Sequence, residues 1–172
     1  MAWTSVSTVS QERICLNPGS ASAISVTGTL AGDYSPGDVV AWTPATKVWT
    51  HVDSDVAATL STAIGVVGFT KRVNQSTGAL KDIDTAYDTS ETEDKRVKIW
   101  ISGICIARIT DQGADAGAGD HLSPSATAGS LALGDNTVDA VASLAANYAD
   151  DDTLCIIGFG KDFGMRWGGV NP

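Results

Sequence analysis

Pro36-Gly37-Asp38-Val39-Val40 runs through Ala45-Thr46 to Ile64-Gly65-Val66. Ala118-Gly119-Asp120-His121-Leu122 runs through Ala126-Thr127 to Ile157-Gly158-Phe159. Each passage reads as Gly-Asp opening a strand, a turn of small residues, a returning strand, a variable connection, and Ile-Gly in a buried strand. Gly-Asp supplies the turn geometry that starts a strand, and a glycine inside a core strand lets it bend. Bent strands entered by tight turns close more readily into a barrel than a flat sheet does. The pattern predicts a mainly β, compact β-barrel built from two similar strand units.

The segments around these passages agree. Ala23-Ile24-Ser25-Val26-Thr27 alternates small polar and apolar residues before Gly28. Asp38 to Thr43 reads as a strand, Pro44-Ala45-Thr46 as a turn, and Lys47 to Val52 as the returning strand. Ala63 to Thr70 is nearly continuous apolar sequence with two glycines, as in a buried strand carrying a bend or bulge. The strongest strand is Val97 to Ile109. It sets Val97, Ile99, Ile101, Cys105, Ala107 and Ile109 on one face, and Thr153 to Phe159 forms the last core strand. Val138, Val141, Ala142, Leu144, Ala145 and Tyr148 recur at three- and four-residue intervals behind Asn136 or Thr137, predicting one short helix in the second unit. Val52 to Ala63 carries a weaker helical signal.

With 172 residues the chain is long enough for one domain with a real core. The expected division is an N-terminal arm and first strand (1–31), a barrel domain (32–163) and a C-terminal tail (164–172). No apolar run is long enough for a bilayer-spanning helix, and Met1-Ala2-Trp3-Thr4-Ser5 has no secretion signal, so synthesis in the cytoplasm is expected. The net charge of −9 disfavours nucleic acid as a partner. The small clusters Lys71-Arg72 and Lys95-Arg96-Lys98 read as solvated strand ends.

Nothing in the sequence carries a recognisable reaction. His51 and His121 have no nucleophile pattern beside them, and no nucleotide-binding, hydrolase or zinc motif is present. Asp111, Asp115 and Asp120, and the run Asp150-Asp151-Asp152, fail the spacing of a calcium loop and read as solvated turns. Cys15, Cys105 and Cys155 are odd in number and far apart, which argues against a disulfide framework and for thiols acting as small hydrophobes. The expectation is a non-enzyme without cofactor or metal.

Trp3, Trp42, Trp49, Trp100 and Trp167 fit two roles, core filling or the anchoring of an interface or sugar-binding face. Trp42 suits the first. Trp3 and Trp167 lie in terminal segments, where contact with a neighbour is more natural. The tail Phe163 to Gly169 either docks on such a neighbour or folds back on its own barrel.

Pro36-Gly37-Asp38-Val39-Val40, Ile64-Gly65-Val66-Val67, Gly119-Asp120-His121-Leu122 and Ile157-Gly158-Phe159 together resemble the small capsid decoration, or cement, proteins of tailed bacteriophages of the β-tulip type. The resemblance covers roughly Gly32 to Phe163 and rests on short motifs. It implies a homotrimer at local three-fold sites on the outer capsid surface of the virion, clamping subunits of the major capsid protein, with no membrane involved. It also implies that the N-terminal region shares in the clamping. Trp3, Thr4, Val6 and Val9 are then candidate capsid or subunit contacts, joined by Met165 and Trp167 of the tail. The acidic loop from Asp82 to Asp94 departs from the shortest members. The alternative class is a carbohydrate- or receptor-binding β module of a virion fibre or cell surface.

Overall fold

Alternating β-branched and aromatic residues, broken by Gly, Pro and Asp, commit a chain to short strands. In the computed structural model the described residues are 14–53, 63–68, 87, 96–110, 115–134, 140–149 and 153–160. Every regular element among them is a strand: β1 (Ile24–Thr29), β2 (Val39–Thr43), β3 (Val48–His51), β4 (Ile64–Val67), β5 (Arg96–Arg108), β6 (His121–Pro124), β7 (Leu131–Leu133), β8 (Ala142–Leu144) and β9 (Leu154–Phe159). Their order is β3-β2-β4-β5-β9-β8-β6-β7, with β1 also on β5 and all these pairings antiparallel.

The long strand β5 belongs to two sheets. Arg96 to Ser102 pairs with β1 and, through Ile99 and Trp100, with β4, whereas Gly103 to Arg108 pairs with β9. The seam falls on Gly103, whose φ of 131° is one that residues with a side chain rarely adopt. An added Cβ there would sit 3.0 Å from Asn17 Oδ1. That oxygen accepts the Ile104 N–H at 2.9 Å, satisfying the backbone where the strand turns. The odd-numbered face of β5 feeds two cores in succession. Val97 and Ile99 enter one with Leu30, Tyr34, Val40, Trp49, Val67 and Tyr87, and Cys105, Ala107 and Ile109 enter the larger one.

The two halves are copies of one unit, matched down to individual hydrogen bonds. Gly37 and Gly119 both have positive φ, 92° and 99°. The Asp38 carboxylate accepts the Ser35 N–H and the Asp120 carboxylate accepts the Gly117 N–H, each three residues back. Gly37 and Asp38 bracket Val67 with two backbone bonds, as Gly119 and Asp120 bracket Leu144. Tyr34 bridges Tyr87 as Ala116 bridges Tyr148, and Leu30 meets Trp49 in parallel as Ile109 meets Leu131. These last bridges draw the first strand of each unit back toward its hairpin, so each sheet curls into a half-barrel. β1, β2, β3, β4 and the first half of β5 therefore correspond to the second half of β5, β6, β7, β8 and β9.

Two expectations are corrected. The residues read as a helix form β8, with Ala142 and Leu144 buried and Ser143 between them. Tyr148 is buried through its bridge to Ala116 and not on a helical face. A short Ala- and Val-rich stretch satisfies both periods, and the edge of β6 left open beside it decides for the strand. The predicted caps Asn136 and Thr137, with Val138, lie outside the described residues, as does most of the weaker signal between Val52 and Ala63. The second correction concerns the repeat. The Gly-Asp openings correspond, but the two Ile-Gly pairs do not. Ile64-Gly65 on β4 matches Val141-Ala142, while Ile157-Gly158 on β9 matches Ile99-Trp100 on β5. The longer variable connection is accordingly in the first unit, 68–95, against 145–153 in the second.

Replacing Gly103 by Ala forces a side chain into a strained conformation against Asn17. The expected cost is about 1–3 kcal/mol of stability, read by thermal or urea unfolding. A Gly19→Ala control, where nothing lies within 4 Å of the added carbon, leaves the unfolding midpoint nearly unchanged.

Candidate functional site: a buried seam and an open strand edge

The Asp38 of the first Gly-Asp turn does more than its counterpart Asp120. Its Oδ1 accepts the Arg108 Nε–H at 2.8 Å, and its Oδ2 lies 3.1 Å from His51 Nε2, beside the bond from Ser35 N–H. Burial alone would push this carboxyl up. The donors from His51, Ser35 and Arg108 outweigh burial and hold it below the ordinary carboxylate value. The Tyr34 ring packs against His51, tilted by 53° with centroids 3.9 Å apart, and burial lifts its phenol above the usual value. The Gly129 backbone lies beneath the imidazole so closely that a Cβ would come 2.7 Å from Cδ2.

This cluster ties unit to unit. Asp38 and His51 come from the first, Arg108 and Gly129 from the second. Backbone bonds run alongside: Arg108 N to Gly37 O at 2.9 Å, Val39 N to Gly129 O at 2.8 Å, and Gly129 N to Val52 O at 3.0 Å. Chemically it is a carboxylate with three donors, suited to holding a seam. His51 ends β3, the outermost strand on its side of the sheet, and what its sequence neighbourhood did not show is its carboxylate partner. Its partner Asp38 is 13 residues away along the chain, and the arginine that shares this carboxylate is 70 residues from Asp38; only the Gly-Asp motif marked one of the three. His121 stands at the start of β6, and its buried Nδ1 has no hydrogen-bond partner among the described residues.

A second pairing also crosses sequence distance. Cys15 lies directly opposite Cys105, flanked by Leu16 N to Ile104 O and Ile106 N to Ile14 O, both 2.8 Å. The thiols interact. Hydrogen bonding to Cys105 brings the Cys15 thiol down to about 7, while the same contact and burial push Cys105 up. None of the three cysteines is in a disulfide, and Cys155 is buried on β9 with its S–H aimed at Ala107 O.

Among the described residues the first unit carries a groove on its surface. It has a volume of about 340 Å³ and runs between β1 and β3, lined by Val26 to Thr29, Trp42, Lys47 and Trp49. Trp42 and Trp49 form a tilted pair with centroids 5.6 Å apart, Trp49 buried and Trp42 half-buried. Trp100 is half-buried under Lys98, whose Nζ is 5.4 Å from the ring. The contact candidates Trp3, Thr4, Val6, Val9, Met165 and Trp167 all lie outside the described residues. Among the described residues no group of three or more His, Cys, Asp or Glu is placed to hold a metal ion, and Asp120 serves its own turn.

No family model matches the chain, and no curated protein matches it. Solved structures do. A chain from the capsid of Myoviridae phage XM1 is similar over 94% of this chain and 99% of its own length, at a TM-score of 0.55 and 15% identity. A second similar structure is the N base of the head fibre gp8.5 of bacteriophage phi29, with 80% of this chain and 94% of that one covered, a TM-score of 0.39 and 14% identity. At such identity the first comparison establishes a shared fold.

Asp38→Asn keeps the size of the side chain but weakens its charge-assisted bonds. Arg108 keeps 38% of its side chain exposed, so water screens part of that loss, and the expected cost is about 1–3 kcal/mol. Because the folded carboxyl is held below its unfolded value, its contribution is full above about pH 4 and is lost as pH falls through the folded value. Unfolding curves at pH 7 and pH 3 should therefore differ more for the parent than for Asp38→Asn.

Proposed function

We propose that this chain is a structural subunit of a tailed-phage particle, a decoration or cement protein of the β-tulip type that binds the outside of the assembled head. What carries the proposal is the end-to-end fold similarity to a chain of a phage capsid, covering 94% and 99% of the two lengths. The construction supports it. Asp38, His51 and Arg108, which converge among the described residues, are used between the two units. A subunit of this kind acts by binding only the assembled shell, which makes that shell harder to burst.

The assembly we propose is a homotrimer at local three-fold positions, with the major capsid protein as partner. A ring gives each subunit two heterologous faces and leaves a third for the shell. Three modest footprints then combine through effective concentration into firm attachment. A net charge of −9 keeps free subunits apart until they meet a specific partner. Trp3, Thr4, Val6 and Val9 at one end, and Met165 and Trp167 at the other, are the contacts we assign to the shell or to neighbouring subunits. The sugar-binding alternative has less support in the described residues, since Trp49 is 5% exposed and Trp42 packs against it.

Gel filtration with light scattering should give a trimer, and the trimer should co-sediment with expanded heads that lack the protein. Trp3→Ala and Trp167→Ala are each expected to weaken that binding by tenfold or more, about 1.4 kcal/mol, as for an aromatic interface anchor, with the unfolding midpoint unchanged. A monomer that ignores heads and binds glycans on an array would overturn the assignment.

A further inference from the structure

The internal duplication shows where the described residues of the two units differ. In the second unit the outer edge of β5 is covered: Ile14-Cys15-Leu16 lies antiparallel to it, with Cys15 opposite Cys105. Two backbone bonds hold it, Leu16 N–H to Ile104 O and Ile106 N–H to Ile14 O, each 2.8 Å. Ile14 and Cys15 are buried there, 2% and 3% exposed, and join the larger core. Through the matching bridges Leu30–Trp49 and Ile109–Leu131, and the matching registers Val26–Ile99 and Cys105–Ile157, the strand that corresponds to this covered edge is β1. Val26 takes the place of Cys105, Ser25 that of Ile104, and Thr27 that of Ile106.

Among the described residues nothing pairs with that edge of β1 beyond the bridge at Leu30. Ile24 stands 40% exposed at its start, and the groove of about 340 Å³ opens beside Val26 to Thr29. By correspondence the Ser25 carbonyl and the Thr27 N–H point out of the sheet into the open edge. An unpaired strand edge is a template for another strand.

We propose that the β1 edge is an acceptor for an extended apolar segment donated by another protein chain, bound antiparallel in the geometry that Ile14-Cys15-Leu16 adopts on the second unit. The guest accepts from Thr27 N–H and donates to Ser25 O. Its residue opposite Val26 is small and apolar, pointing toward Trp49 and Trp42, and the residue after it faces solvent as Leu16 does, 40% exposed. Lys47 at the mouth of the groove favours a neutral or acidic guest over a basic one. The proposal goes beyond attachment to a particle and does not depend on it, because the acceptor is defined by the backbone of this chain alone.

The test copies the internal pair. Val26→Cys is mixed with a blocked peptide of the sequence Ile-Cys-Leu-Asn, its thiol carried as a disulfide to a small leaving thiol. The introduced thiolate attacks the peptide sulfur, the protein–peptide disulfide forms, and the leaving thiol departs, which is read by absorbance and peptide mapping. Capture is expected to be about tenfold faster than with a scrambled peptide in which Cys is terminal, corresponding to about 1.4 kcal/mol of positioning. N-methylation of the peptide Leu removes the donor to Ser25 O and should abolish the advantage without touching the protein. Thr27→Pro in the Val26→Cys background removes the other bond, and proline is tolerated on a solvent-facing strand edge. Equal capture of ordered, scrambled and N-methylated peptides by folded protein would overturn the proposal. Loss of head binding with peptide capture intact would count against the particle role alone.

Discussion

One strand holds the molecule together. β5 is long enough to be the last strand of one curled sheet and the first strand of the next, so the two units share a backbone as well as an interface. A shared strand forces a problem of direction, because each half of it must present its odd-numbered face to a different core. Gly103, with a φ that side chains disfavour, lets the strand turn between them, and Asn17 takes the N–H that follows. The two Gly-Asp turns, the two buried tyrosine bridges and the two curled hairpins then sit in equivalent places around it.

Duplication of this kind leaves both copies with the same needs, and the chain meets them differently. Asp38 and Asp120 make the same local turn, but only Asp38 also binds an arginine and a histidine. A partly buried carboxylate with three donors is specific in geometry because losing any donor leaves a charge poorly solvated. That makes it suited to setting how one unit sits against the other. Tyr34 and Gly129 complete the arrangement by holding the imidazole on its faces, and backbone bonds between Val39, Val52 and Gly129 extend it along the seam.

The same asymmetry governs the outside. One unit has its outer strand edge covered by residues that come just before β1 in the chain, and among the described residues the other does not. Covering an edge satisfies backbone groups and removes a template for association, so an edge left uncovered beside an aromatic groove is where a second chain meets least competition.

Much of this was legible from residues in order. Period-two alternation, Gly-Asp openings and Pro- or Gly-marked turns located β1 to β6 and β9 because those signals are local, written within a few positions by backbone sterics and side-chain burial. The repeat was visible at its turns for the same reason. It misled at the Ile-Gly pairs, where strand pairing, a non-local matter, matches β4 with β8 and not with β9. β8 itself looked helical, because small apolar residues at mixed spacing fit either period until the neighbouring edge of β6 chooses. The Asp38–His51–Arg108 cluster and the Cys15–Cys105 pair could not be seen at all. Sequence order carries no distance between residues brought together by folding. Which carboxylate gains partners, which thiols face one another and which edge stays open were decided only when the two sheets closed around their common strand.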